Sequence, residues 1–150
     1  MKVVVQRVSE CSVTIDGCVQ GSIQKGFMVL VGFCPDDTKE IVDKMVDKVI
    51  GLRVFEDENG KMNLSLQDVN GSILSISQFT LYADCIKGRR PSFISAAKPD
   101  LAIPLYDYFN EKIREHGVHL QTGIFGADMK VALVNDGPVT ILLDSQEICK

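Results

Sequence analysis

Lys2–Val8, KVVVQRV, and Cys11–Ile15, CSVTI, run straight into Asp16-Gly17. β-Branched residues crowd both runs, as strands favour, and Asp-Gly is among the strongest two-residue hairpin signals. Residues 26–33, GFMVLVGF, form a short apolar run bounded by glycines, which fits a buried strand. The first third of the chain therefore reads as antiparallel strands. Two further turn signals, Asn59-Gly60 and Asn70-Gly71, punctuate LRVFEDENGKMNLSL and DVNGSILSISQFTLY.

Two helices are expected among these strands. Over residues 37–50, Ile41, Val42, Met45, Val46, Val49 and Ile50 share one face at helical spacing. Asp37 with Glu40 resembles a capping box, and Gly51 suits a stop. A second helix over roughly 100–116 turns Leu101, Leu105, Tyr108, Phe109 and Ile113 inward and stops at Gly117. Pro104 inside it requires a late start or a bend. Repeated hairpin signals with only two helices indicate an α+β fold: an antiparallel, barrel-like sheet with about two flanking helices, residues 1–150 forming one domain.

Composition narrows the function. The 150 residues are 45% hydrophobic and 24% charged, enough apolar mass for a core. No apolar run approaches the ~18–20 residues that span a bilayer, and MKVVVQRVSE turns polar too soon for a signal peptide. A cytoplasmic location without a membrane partner is expected. The net charge is −4, so any nucleic acid must be met by a local basic patch. Cys11, Cys18, Cys34, Cys85 and Cys149 are odd in number and include no C-x-x-C pair; they read as reduced thiols, mostly small apolar fillers. His116 and His119 are the only histidines, near an expected helix end. That scarcity removes most His-based triads and zinc hydrolase sites, and no metal or cofactor is expected.

Four stretches could carry chemistry. SISQFTLYAD, residues 75–84, holds Ser77, Gln78, Phe79 and Thr80. Its hydroxyls, side-chain amide and backbone N–H groups could bind a carbonyl or an oxyanion, or satisfy one another across strands. In a straight strand Ser77 and Phe79 face one way and Gln78 and Thr80 the other. All four meet one substrate only if the strand ends or bulges there. A Thr80 nucleophile would also need a base. KGRRPSF, residues 87–93, gathers Lys87, Arg89 and Arg90 into a basic loop, either solvated or a phosphate clamp. GIFGADMKV, residues 123–131, suggests close backbone approach or a plain loop into a strand. VNDGPVT, residues 134–140, lies between MKVALV and VTILLD. Gly137-Pro138 lacks the N–H a hairpin would use, so this is a turn closing a strand pair or a rigid corner presented to a ligand. There is no P-loop, G-x-S-x-G, H-E-x-x-H or helix-opening G-x-G-x-x-G.

MKVVVQRV, LRVFEDENGKMN, SQFTLYAD, KGRRPSF, FGADM and NDGPVT occur together, in this order, across nearly the whole chain. The chain thereby resembles the D-aminoacyl-tRNA deacylases of the D-Tyr-tRNA deacylase type, whose two signature motifs are matched at Ser77–Leu81 and Asn135–Thr140. The resemblance implies a homodimeric hydrolase that cleaves the ester between a D-amino acid, or glycine, and the 3′-terminal adenosine of tRNA. It implies a cis Gly137-Pro138 bond that reaches into the partner subunit's pocket, where its carbonyls bind the α-amino group and exclude L-amino acids. Arg7 would lock that loop, Ser77, Gln78, Phe79 and Thr80 would line the site, and Ala127 and Met129 fall in the matching FGADM segment. For the chemistry the family suggests either Thr80 as nucleophile or a water activated by the tRNA's own 2′-OH. The lack of a His, Cys or metal constellation favours the second, with backbone N–H donors around Gln78 and Phe79. Two alternatives stand beside this reading: a nucleic-acid-binding module using Lys87, Arg89 and Arg90, since some relatives are connected with DNA replication, and a hydrolase of unrelated esters.

Overall fold

The computed structural model describes residues 1–150. Its axis is β1 (Lys2–Ile15). On one side, β1 pairs antiparallel with β2 (Cys18–Ile23) over its second half and with β3 (Gly26–Gly32) over its first. On the other side its length pairs antiparallel with β8 (Lys130–Asp144). Asp16 and Gly17 both have positive φ, 49° and 78°, as a two-residue hairpin turn of this twist requires. Val3, Val5 and Arg7 alternate into the interior, so the buried face of a strand carries a guanidinium.

The sheet is mixed where an antiparallel one was expected. β3 pairs parallel with β6 (Ser72–Ser77), and β6 pairs parallel with β7 (Leu120–Thr122). Both β3 and β6 are buried on both faces. Such strands suit parallel pairing under covering helices, and each parallel pair is joined by a crossover containing one. The strand order is β2-β1-β3-β6-β7, with β8 beside β1. Gly21 of β2 comes against Gln121 of β7, so the sheet curls into a nearly closed barrel.

Helix α1 (Lys39–Gly51) buries Val42, Met45, Val46, Val49 and Ile50 as the spacing predicts. Its N-cap is Thr38, whose hydroxyl accepts from the Ile41 amide, and not Asp37. Asp37 is drawn inward instead, by the amino group of Met1. α1 is followed by the hairpin of β4 (Arg53–Glu56) and β5 (Met62–Ser65), whose turn is closed by three hydrogen bonds to the Asp57 carboxylate. Asn70-Gly71 makes no hairpin; it ends the turn that leads into β6. Helix α2 (Pro99–Glu115) starts early and carries Pro104 within it, at an exposed position. Its inward face is Ala102, Leu105, Tyr106, Phe109, Asn110 and Ile113, so Leu101 is exposed and Tyr108 only half-buried. Tyr108 reaches across to Asp43 of α1 at 2.8 Å. A short α3 (Ser145–Ile148) closes the chain, capped by Asp144.

The main core lies between α1, α2 and one face of the sheet, and a smaller core of Val8, Cys11, Val13, Ile23, Met28, Leu74 and Ile76 lies on the other. Burial pushes the Cys11 thiol up to about 12, while Cys18 and Cys85 are exposed rather than packed. His116 caps α2, as its position suggested. No helix is long and apolar enough to cross a membrane.

Candidate active site

At the ends of β3 and β6 the two cores separate, and a cleft of about 250 Å³ opens between them. Of the strand end or bulge that would let these residues share a site, a strand end is present. β6 stops at Ser77 and the chain rolls at once into a 3-10 turn, Phe79–Tyr82. Gln78 stands between them with φ −147° and ψ 86°. The turn fits because Gly32 lies beneath it: a Cβ there would come within 2.8 Å of the Gln78 carbonyl oxygen and 3.1 Å of Leu81 Cβ. Gly32 was not singled out by the sequence reading, since a glycine at the end of a strand is common and only the tertiary contact gives it meaning.

Ser77, Gln78 and Phe79 line the cleft, together with Ala127 and Met129 from the segment after β7. Thr80 does not. Its hydroxyl accepts a hydrogen bond from Gln78 Nε2 at 2.6 Å, so it reaches the site only through Gln78. The amide of Gln78 is also occupied: it donates to the Val31 carbonyl at 2.7 Å, continuing the ladder. The amides of Phe79 and Thr80, at the start of the turn, have no acceptor within the chain. The free donors thus sit one residue later than expected. Phe33, Ala97, Ala102 and Phe125 complete an apolar wall. No side chain that lines the cleft is titratable. Neither histidine reaches it, and no three His, Cys, Asp or Glu side chains converge on a metal site anywhere in the fold.

Lys87, Arg89 and Arg90 project from an exposed loop. Paired backbone hydrogen bonds between Asp84 and Ser92, at 2.8 and 2.9 Å, pinch its base. Phe93, just past the loop, meets Phe79 edge-on with ring centroids 5.1 Å apart. The basic loop is therefore tethered to the rim of the cleft.

VNDGPVT does not take the hairpin form that one of its two readings allowed. It is no turn between two paired strands, because both flanks belong to β8 and both pair with β1. Asn135 lies opposite Val8 and Thr140 opposite Gln6, so residues 136–139 stand against Arg7 alone. The loop is ejected sideways from a continuous ladder. Asn135 staples its base: its side chain accepts from the Val139 amide at 2.7 Å and donates to the Val139 carbonyl at 3.2 Å, as a peptide group would. Arg7 fixes one arm, donating to the Asp136 carbonyl at 2.8 Å and to the Val54 carbonyl at 2.6 Å. The Gly137-Pro138 bond is cis, and both residues are exposed.

Within one chain the loop and the cleft do not meet. Arg7 is opposite Phe27 on β3, whereas Ser77 is opposite Val31. Four residues along a strand separate those points by roughly 13 Å, and neither Gly137 nor Pro138 touches the cleft.

This mixed barrel, opening at a strand end onto an apolar cleft with free backbone donors, defines an α+β enzyme of a recognisable kind. The family model of D-Tyr-tRNA(Tyr) deacylases matches residues 4–144. A D-aminoacyl-tRNA deacylase of Thermus aquaticus is 57% identical over 147 residues, 98% of this chain and 97% of that protein. The solved structure of a c-Myc DNA unwinding element binding protein superimposes with a TM-score of 0.90 at 42% identity, covering 96% of this chain and 98% of that one. A probable eukaryotic D-amino acid tRNA deacylase shares the fold at a TM-score of 0.81 and 20% identity, covering 95% and 97%. The chain belongs to the D-Tyr-tRNA(Tyr) deacylase family. Its activity is that of a D-aminoacyl-tRNA deacylase, a hydrolase acting on an ester bond.

Proposed function

We propose that the ester cleaved joins a D-amino acid, or glycine, to the 3′-terminal adenosine of tRNA, and that the enzyme works in the cytoplasm as a homodimer. In the dimer the Gly137-Pro138 loop of one protomer enters the cleft of the other. The observation that carries this reading is the cleft itself, apolar, with free backbone donors and no titratable side chain. Such a site can hold and polarise an ester but has no base of its own to activate water. The 2′-OH of the terminal ribose supplies the missing group. The free amide of Phe79 stabilises the developing oxyanion, and the apolar walls, with Ala127 and Met129 among them, exclude bulk water.

The dimer reading is supported by what one chain leaves apart. β8 is an edge strand with Val134 and Leu142 half or more exposed, and such an edge invites a partner. Its ejected loop, held by Arg7, presents the Gly137 and Pro138 carbonyls with no competing N–H from the proline. Aimed at an α-ammonium, they leave space for a D-side chain and none for an L-side chain. Lys87, Arg89 and Arg90 meet the phosphates of the acceptor end.

Matched D-Tyr-tRNA and L-Tyr-tRNA test the reading, with a 2′-deoxy terminal adenosine as third substrate. Hydrolysis of the D-ester alone, lost in the deoxy substrate while binding persists, is the expected result. Equal rates on D- and L-esters would remove the filter, and full activity on the deoxy ester would remove the 2′-OH. A second reading draws on the likeness to a DNA unwinding element binding protein and on the same basic loop: nucleic-acid binding without turnover. DNA binding undiminished by tRNA, with no hydrolysis of the D-ester, would favour it.

A further inference from the structure

We propose that the pocket between α2 and the end of β7 is a second binding site, for a small organic ammonium, held by the side-chain carbonyl of Asn110 and the carboxylates of Asp107 and Glu111. The pocket has a volume of about 400 Å³, within the range of small-molecule sites. Phe125 is the one wall it shares with the active cleft. Asn110 carries the proposal. It is 5% exposed, it lines this pocket, and its Oδ1 has no hydrogen-bond partner. Buried side-chain polar atoms are nearly always paired, and a carbonyl left bare in the interior is costly.

The neighbouring donors are committed to β6. Tyr106 Oη, one helical turn before Asn110, donates to the Ser75 carbonyl at 2.8 Å and accepts from Ser75 Oγ at 3.4 Å. The Gly123 amide donates to that same carbonyl at 3.3 Å. Arg114, one turn after Asn110, is half-exposed and lies 4.0 Å from the Glu111 carboxylate. Asn110 Oδ1, Asp107 and Glu111 are all acceptors, so the occupant must bring N–H donors. Two carboxylates against one guanidinium leave a negative balance, so it must also bring positive charge. The rings of Tyr106 and Phe125, with centroids 6.1 Å apart and tilted by 53°, offer its carbon chain an aromatic face of the kind cations favour. An ammonium meets all three demands. An alcohol lacks the charge, and an anion would find only Arg114.

The binding arm of the test stands apart from the deacylase reading above; the activity arm rests on it. n-Butylammonium chloride is titrated into the full-length chain and followed by amide chemical shifts, with n-butanol and sodium butyrate as controls at equal ionic strength. Butylammonium should bind in the low millimolar range, as so small a ligand allows, and shift the Asn110, Gly123 and Ile124 amides most. Both controls should bind about tenfold more weakly. Asn110→Leu replaces the orphan by an apolar group of similar size, so it should fold as stably as the native chain and weaken butylammonium about tenfold. Asp107→Asn with Glu111→Gln, both at exposed positions, should weaken it similarly and carry the test should Asn110→Leu not fold. Free alanine distinguishes two sources of the ammonium. Binding as tight as that of butylammonium, lost in Arg114→Met, identifies an amino acid, and weaker binding identifies an amine; both uphold the site. Equal binding of butanol and butylammonium overturns the proposal, as does the lack of any saturable shift, which leaves the carbonyl to water. The substrate's own α-ammonium belongs to the active cleft, so hydrolysis separates the two sites: butylammonium should not compete with a minimal D-aminoacyl-adenosine ester. Competitive inhibition, with shifts centred on Ser77, Gln78 and Ala127, overturns the proposal. A native chain that hydrolyses no D-ester refutes the deacylase reading and leaves the shift measurements to decide this one.

Discussion

At Ser77, β6 leaves its ladder for good and coils into a 3-10 turn; at Asn135, β8 keeps its ladder and ejects four residues from the side. Both interrupt a strand beside a polar signature motif, yet they yield opposite chemistry. The first frees backbone N–H groups beside an apolar hollow. The second presents carbonyls on a stiff corner whose proline has no N–H at all. On the proposed reading, one region is a donor site for the ester and the other an acceptor probe for a partner's cleft. Their separation along β3 explains why the two halves of one proposed site are displayed apart on a single chain.

Adding one methyl group to each region tests the pairing most severely. In Gly32→Ala the new Cβ meets the Gln78 carbonyl at 2.8 Å, and backbone cannot yield cheaply. In Gly137→Ala it meets the Val139 amide nitrogen at 2.9 Å, at a φ of +147° that disfavours any L-residue. Each variant should lose on the order of 100-fold in kcat/KM, the effect of displacing positioning groups by about 1 Å. The split between them sharpens the comparison: Gly137→Ala should also narrow the D/L rate ratio, which Gly32→Ala leaves intact. Steady-state deacylation of both esters reads the difference. If the two variants lose discrimination alike, the regions do not have separate roles.

Arg7→Met comes next, because it strikes one region only. The guanidinium is buried and satisfies the Asp136 and Val54 carbonyls together. Hydrogen bonds to charged groups contribute ~1.5–3 kcal/mol each, and a buried acceptor left bare is costly. Chemical denaturation should show a loss of about 3 kcal/mol, and activity should fall through the loop while the Gln78, Leu81 and Ala83 amides keep native exchange rates. The ion pair to the exposed Asp136 carboxylate, at 4.0 Å, adds little.

Local signals were legible in the sequence and non-local ones were not. The Asp16-Gly17 hairpin, the buried β3 run and the inner face of α1 each depend on neighbours in the chain, and each appears as read. Side-chain alternation alone showed that Ser77–Thr80 could share a site only at a strand end or bulge; β6 does end there, though Thr80 stays outside the cleft. The parallel pairing of β3 with β6 was missed because nothing local distinguishes a crossover from a hairpin once a helix intervenes. Asp37 looked like a cap because capping is local; its partner, the Met1 amino group, lies 36 residues away. The hairpin alternative for VNDGPVT failed for the same reason, since only the register against β1 reveals that both flanks share one partner. Arg7 entered through the resemblance alone, although the strand itself marks it: it continues the inward alternation of Val3 and Val5, where a cation must have acceptors.

The basic loop offers a milder test. Replacing Lys87, Arg89 and Arg90 together by alanine touches neither region, since all three side chains are exposed. The fold should be unchanged. With full-length tRNA, kcat/KM should drop about tenfold, and its salt dependence should flatten by roughly two counterions' worth of slope. A minimal aminoacyl-adenosine ester should be hydrolysed as by the native enzyme. A loss on the minimal ester would mean that the loop, through Phe93 against Phe79, shapes the turn instead of meeting phosphate.

Thr80→Ala has the smallest expected effect and bears most directly on what the donor region is for. If Thr80 Oγ1 attacked the ester, its removal would cost about 10⁴-fold or more, as loss of a nucleophile does. The hydroxyl lies outside the cleft and accepts from Gln78 Nε2, with no titratable side chain in the cleft to take its proton. Its service is to orient the Gln78 amide, which is half-exposed and can take a water in its place. The variant should therefore keep kcat/KM within about tenfold of native on D-Tyr-tRNA. The decisive comparison is with the 2′-deoxy substrate. Thr80→Ala and the deoxy ester should differ by orders of magnitude in their effect, because one removes a bystander of the donor site and the other removes its base. A Thr80→Ala enzyme that binds substrate normally yet hydrolyses at background rate would reverse that assignment, making the turn a nucleophile carrier and not a cradle of amides.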